Sequence, residues 1–178
     1  MTTYVALIRG IGPGDPRKSN ASLRGVLESL GYDAVRSVIS SGNVVFEADP
    51  VDPADADAIG DRIEAAWPEL RGFTATTIVR SHEQLRHLLD QRPFGDLPHG
   101  PESYQLVTFF KRPVTALADP PEGMALQVVG LVDGALCTVS DTTVTGTPDA
   151  MAWLQRTYTK ELTSRTPVTL ERILTKMG

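Results

Sequence analysis

The chain holds one cysteine, three histidines and few aromatic residues, with no surplus of positive charge and no long apolar run. Each shortage removes a class of protein. Cys137 is alone, so no internal disulfide can form, and its place in the apolar stretch Gly134 to Val139 predicts a core-filling role in a reducing compartment. Formal net charge is -5 and the pI is about 5.2, so the positive field that draws proteins to phosphate backbones is missing and nucleic acid is not the expected partner. Tyr4 and Phe46 are the only aromatics of the first and third predicted strands, too few for base stacking and better used as core. The apolar run Tyr4 to Ile8 stops at Arg9, too short for a signal-peptide core, and no stretch nears the roughly 20 apolar residues of a membrane span. A cytoplasmic chain with no membrane partner is expected. His82 and His87 lie five apart on one predicted helix and face different ways, and His99 and Cys137 are remote from them, so no metal site and no cofactor are expected.

What is present is enough for a core: 178 residues with 41% hydrophobic content. Thr3 to Arg9 is a β-rich run, broken by a loop carrying Gly10, Gly12, Pro13, Gly14, Asp15 and Pro16. Leu23, Val26, Leu27 and Leu30 then recur at helical spacing, with Ser19 or Asn20 as cap and Gly31 just past the end. Ala34 to Ser40 and Asn43 to Ala48 form a hairpin joined through Ser41 and Gly42. Pro53 opens a second helix whose Ile59, Ile63, Ala66 and Trp67 share one face, and Phe73 to Val79 is the next strand. The order β-α-β-β-α-β is that of a ferredoxin-like plait, two helices on one face of a four-stranded antiparallel sheet.

Ser81 and Gln84 make a capping-box pattern for a connecting helix, after which Pro93 to Pro101 is rich in proline and glycine. This divides the chain into 1-92, the plait with its connecting helix, and 93-178, a second α+β subdomain. The second half offers a strand at Tyr104 to Phe110, a turn or short helix at Pro113 to Ala118, a hairpin of Leu126 to Val129 with Ala135 to Val139, and two closing helices. One begins near Thr147 and Pro148. The other has Pro167 at its first position and Leu170, Ile173, Leu174 and Met177 on one side. A degraded second plait fits that order, so the fold class is α+β.

In a plait the loop leaving strand one and the turn leaving strand two emerge at the same sheet edge. Arg9, Gly10, Gly12, Gly14, Ser41 and Asn43 are therefore expected to be neighbours, with glycine-exposed N–H groups and an arginine suited to an anion. Equally, Arg9 could cap its own sheet edge while Asn43 and the glycines serve the chain path. Gly12 to Ser19 imitates a phosphate-binding loop ending in Lys18 and Ser19, but Arg17 stands where that loop demands glycine. Gly10, Gly12 and Gly14 have G-x-G-x-G spacing, not that of a dinucleotide fingerprint. Ser81 beside His82 suggests a nucleophile and base, yet no acid stands at a spacing that would orient His82, and Ser81 is better used as a cap. Asp52, Asp55, Asp57 and Asp61 complement a helix dipole and lack the glycine and distal glutamate of a calcium loop.

Tyr4-Val-Ala-Leu-Ile-Arg9-Gly10-Ile11, the Leu23 to Gly31 helix and Ser41-Gly42-Asn43-Val44-Val45-Phe46, in that order, resemble the uncharacterised bacterial family called domain of unknown function 1697. The family's loop reads Arg-Gly-Ile-Asn-Val-Gly-Gly, so Gly12, Pro13 and Asp15 are departures, and a ligand contact by the asparagine is lost. The segment Thr163-Ser164-Arg165-Thr166-Pro167-Val168-Thr169 resembles the family's Thr-x-Arg-Asn-Trp-Asn-Thr, matching at Thr163, Arg165 and Thr169. The resemblance implies two ferredoxin-like subdomains and no established activity. Arg165 is either a second basic group reaching the Arg9 and Asn43 edge or a solvated arginine ahead of a helix.

The function expected from these residues is a binding protein holding a small anionic ligand or acidic peptide end at the Arg9–Gly14 loop and the Ser41–Asn43 turn. The alternatives are an enzyme acting on a phosphorylated or acyl metabolite, for which no acid, base or nucleophile stands out, and a protein-interaction module using a sheet edge.

Overall fold

The computed structural model describes residues 1–52 and 55–178 and has two compact units, Met1–Arg86 with Leu170–Gly178, and His87–Thr169. The first unit begins with β1 (Thr2–Ile8), α1 (Asn20–Ser29), β2 (Asp33–Ser37) and β3 (Asn43–Ala48), followed by α2 (Ala56–Arg71) and β4 (Thr77–Ser81). The sheet order is β2-β3-β1-β4, with β1 antiparallel to both neighbours, the split order of the plait. Tyr4, Ala6 and Ile8 of β1, Val44 and Phe46 of β3, and the inner faces of α1 and α2 share one core. Leu23, Val26 and Leu27 are the buried residues of α1, as their spacing requires, and the Ser19 hydroxyl caps that helix by accepting from Ser22 N at 3.1 Å. Trp67 of α2 is fully buried, and its indole N–H donates to the Thr77 hydroxyl at 2.8 Å, so the ring is buried without an orphaned donor. Pro53, expected to open the second helix, lies outside the described residues. Asp55 occupies the cap position of α2 without a side-chain cap bond. The fourth strand starts later than the β-rich run predicts, at Thr77: Phe73 is buried against Trp67, its ring 5.4 Å from the indole, before the ladder begins.

The connecting helix α3 (His82–Asp90) starts with the predicted capping box, Ser81 N donating to Gln84 Oε1 at 2.8 Å and Gln84 N to Ser81 Oγ at 3.1 Å.

The second unit carries β5 (Tyr104–Phe110), β6 (Leu126–Val132), β7 (Ala135–Ser140), α4 (Thr147–Thr157) and β8 (Leu162–Arg165), and α5 (Pro167–Met177) leaves it for the first unit. Its sheet order, β6-β7-β5-β8, repeats that of the first sheet, again with the opening strand antiparallel to both neighbours. The degradation lies in the first crossover: residues 111–125, which include the turn or short helix expected at Pro113 to Ala118, contain no helix, only bends at 111–112 and a turn at 122–123. Pro120 and Pro121 remove the amide donors a helix running on through the crossover would need. The β6–β7 turn is made by Asp133 and Gly134 at φ 49 and 75, the geometry that suits the twist of a two-residue hairpin. Phe110, Leu126, Leu136, Trp153, Leu154 and Leu162 form this unit's core, and Cys137 is fully buried.

One strand departs from the expectation. Leu162–Arg165, where the residue patterns predict no strand, is β8, paired with β5 through Leu162 opposite Phe110 and Arg165 opposite Val107. Four residues with a single apolar member are too short for a period of two to be visible, and the pairing comes from β5 having an open edge.

Candidate functional site

The exit of β1 and the turn between β2 and β3 are packed together. Ile8 N donates to Gly42 O at 2.8 Å, and Arg9 N donates to Thr76 O at 2.9 Å, so the loop that follows is pinned on both sides. Gly42 is buried at φ 76, and a Cβ there would fall 2.6 Å from Ile8 O and 2.7 Å from the Ile11 side chain. Only glycine lets the turn approach the strand so closely. Asn43 is 1% exposed, and its Nδ2 donates to Val38 O at 3.2 Å and to Ser41 Oγ at 2.9 Å. Its amide thus holds the turn's shape. Arg9 is half-buried, while Gly10, Gly12 and Gly14 are open, a Cβ at any of the three meeting nothing within 4 Å.

Beyond that loop lies an open hollow of about 670 Å³ whose lining includes Gly12, Gly14, Lys18, Ser19, Asn20, Arg24 and Ser40. Of the predicted site residues it takes in Gly12 and Gly14, and the turn contributes Ser40 in place of Ser41 and Asn43. Arg9 and Gly10 are not in its wall. Arg24 is a cation that the residue patterns did not single out, and Lys18 appeared there only as the end of a phosphate-loop imitation. They come together because Ser19 caps α1 and Arg24 lies one turn into that helix, on the side of the β2–β3 turn. A weak signal was there to read, since Asn20 and Arg24 stand four apart and so share a helix face. Lys18 Nζ donates to Gly10 O at 3.4 Å and lies 5.3 Å from the centre of the Phe73 ring, and an Arg24 Nη donates to Ser37 Oγ at 3.0 Å. Neither forms an ion pair among the described residues. Asn20 Nδ2 donates to Ile39 O at 3.1 Å, tying the helix start to the turn.

Asp15 is the carboxylate of the lining, and it is already committed. The Arg17 guanidinium holds it through Nε at 3.0 Å and Nη2 at 2.8 Å, which pulls the Asp15 carboxyl below its ordinary range and raises Arg17. Arg17 also donates to Gly72 O at 2.9 Å, anchoring the loop to the end of α2. The positive character of the hollow therefore comes from Lys18 and Arg24, with the first-turn amides of α1, which have no partner within the helix, on the same side.

Arg165 lies on β8 of the second unit, buried at 9% exposure, so it is not a solvated arginine. Its Nη1 donates to Thr163 Oγ1 at 2.7 Å and Ser164 O at 2.8 Å, and burial pushes its guanidinium down to about 10. Ser81 is spent as a helix cap and His82 Nε2 lies 3.2 Å from an Arg86 Nη, so that pair forms no nucleophile and base. Burial also pushes the Cys137 thiol up, to about 12, the behaviour of a core thiol and not of a nucleophile. Among the described residues no helix is long and apolar enough to cross a membrane.

The family model described as a protein of unknown function, DUF1697, matches residues 1–121. No curated protein shows significant similarity to the chain. Among solved structures, a conserved bacterial protein from Streptococcus pneumoniae superimposes with a TM-score of 0.70 at 19% sequence identity, over 99% of this chain and 99% of that one. At that identity the likeness concerns the fold.

Proposed function

We propose, for a chain that belongs to the DUF1697 family of proteins of unknown function, that it is a cytoplasmic binding protein which holds a small anionic ligand at the loop leaving β1. The observation that carries this is the hollow of about 670 Å³ in which Lys18, Arg24 and the start of α1 meet the open backbone of Gly12 and Gly14. That volume suits a whole metabolite, not a bare ion. The anionic group sits between Lys18 Nζ, the Arg24 guanidinium and the amides of Asn20 and Ala21, where charge-assisted hydrogen bonds and the helix dipole act together. Arg9, Ser41 and Asn43 then position the loop and turn that wall the site. Arg165 is assigned no contact. Binding is favoured over catalysis because both oxygens of Asp15, the carboxylate of the hollow, are already engaged by the Arg17 guanidinium.

A thermal-shift screen of phosphorylated and carboxylated metabolites supplies the ligand, and calorimetric titration of that compound into Lys18→Gln and Arg24→Gln tests the site. Each loss of a charge-assisted contact removes about 1.5 to 3 kcal/mol, tenfold or more in affinity, and the remaining affinity falls with added salt. Unchanged affinity in both variants, with intact folds, would mean that the anion binds elsewhere.

A further inference from the structure

The donors and the walls of the anion hollow narrow its ligand further than the sign of the charge does. Lys18 and Arg24 are half-buried, and each keeps a neutral partner, Gly10 O for the Lys18 ammonium and Ser37 Oγ for an Arg24 Nη. No ion pair among the described residues cancels either charge. Asp15, the carboxylate of the lining, has both oxygens on the Arg17 guanidinium, so the hollow presents the charges of Lys18 and Arg24 to a ligand. On the α1 side, the Ser19 hydroxyl accepts from Ser22 N at 3.1 Å and the Ser19 carbonyl from Leu23 N at 2.9 Å. The amides of Asn20 and Ala21 are left, which a helix cannot satisfy from within.

An ammonium, a guanidinium and two amides therefore border one volume. A carboxylate is planar, carries a single charge and has two oxygens. A phosphomonoester at pH 7 carries about 1.5 to 2 negative charges and three free oxygens in a tetrahedral arrangement. Only the phosphomonoester meets both cations and still has an oxygen for the helix amides.

The rest of the lining bears on the body of the ligand. Gly12 and Gly14 offer open backbone and Ser40 an exposed hydroxyl. Among the described residues the lining holds no aromatic ring, and the Phe73 ring beside Lys18 is not part of it. A nucleobase would find nothing to stack on, whereas a hydroxylated body can exchange hydrogen bonds with the glycine backbone and Ser40.

We infer that the ligand is a phosphomonoester of a sugar or small polyol, recognised as its dianion. This rests on the anion-binding function proposed for the hollow and narrows it to one chemical class. The phosphate sits at Lys18, Arg24 and the Asn20 and Ala21 amides, and the hydroxyls face Gly12, Gly14 and Ser40.

The test is titration of glycerol 3-phosphate, ribose 5-phosphate and glucose 6-phosphate into the ¹⁵N-labelled protein at constant ionic strength, with inorganic phosphate, glucuronate and AMP as controls. At least one of the three should give saturable shifts at the Gly12, Gly14, Asn20 and Ala21 amides and bind at least tenfold more tightly than every control. Its affinity should rise about tenfold from pH 5 to pH 7.5, because the phosphate loses its second proton near pH 6. The groups facing it are Lys18, Arg24 and the Asp15–Arg17 pair, with no histidine among the described lining residues. Lys18→Gln should weaken binding and reduce that rise while the amide spectrum stays that of the folded chain. A control bound as tightly as the best of the three, or a pH profile without the rise, would overturn the class and leave the anion site standing. No saturable shift at those amides with any of these compounds would overturn both.

Discussion

Replacing Gly42 by alanine, with Gly10→Ala as its matched control, isolates the contact that brings the β2–β3 turn onto β1. The two glycines have nearly the same backbone, φ 76 and φ 70, but different surroundings. At Gly10 a methyl group meets nothing within 4 Å, so the cost is the left-handed conformation alone, about 1 to 2 kcal/mol, less the 0.4 to 1 kcal/mol returned by a stiffer unfolded chain. At Gly42 the same terms apply, and the methyl also meets Ile8 O at 2.6 Å and Ile11 Cγ1 at 2.7 Å. Ile8 O belongs to the backbone of a central strand and cannot swing aside. Relief must separate the turn from β1, straining the Ile8 N to Gly42 O bond of 2.8 Å. Overpacking of that kind costs about 1 to 3 kcal/mol and the bond about 1 more. Gly42→Ala should therefore be about 2 to 4 kcal/mol less stable than Gly10→Ala. Urea unfolding followed by circular dichroism at matched m-values measures the difference. Equal midpoints for the two variants would refute the close approach and, with it, the wall it gives the anion hollow.

Ser81→Ala removes the hydroxyl that accepts from Gln84 N and leaves one half of the capping box, so a loss of about 0.5 to 2 kcal/mol is expected in thermal or urea unfolding, and none would mean that water replaces the cap. Cys137, fully buried, should react with a thiol reagent at pH 8 far more slowly in the native protein than in urea, and rapid native labelling would contradict its burial. Because burial holds the folded thiol near 12 against an ordinary 9.0, the unfolded chain releases this proton first as pH rises. The Cys137 contribution to stability therefore declines between about pH 9 and 12 and is flat below, a decline that Cys137→Ala should lack in alkaline unfolding curves.

Much of the architecture is local information. Leu23, Val26 and Leu27 define the buried stripe of α1, Ser81 and Gln84 cap α3, and the β-α-β-β-α-β order to β4 leaves a right-handed, split antiparallel plait as the economical topology. These features depend on side chains a few residues apart, whose spacing is the same in the sequence and in the folded element. The neighbourhood of the β1 exit and the β2–β3 turn also follows from topology alone.

Other features depend on partners far along the chain. β8 exists because β5 offers an edge, Arg165 is buried because β8 pairs there, and residues 111–125 stay irregular although a crossover helix would complete the second plait. At the candidate site the glycines and Lys18 were legible, while the meeting of Lys18 with Arg24 was not. Lys18 and Arg24 converge only when Ser19 caps α1 and Asn20 ties the helix start to Ile39, and Asn43 turns inward to hold Val38 and Ser41. Which side chains meet across β2 and β3 depends on register in the same way, since a shift of one residue would send Asp33 away from Glu47. Periodicity specifies which face of an element is apolar. Which charges meet across a gap is decided by strand register and by the packing of distant elements, which no short window of residues contains.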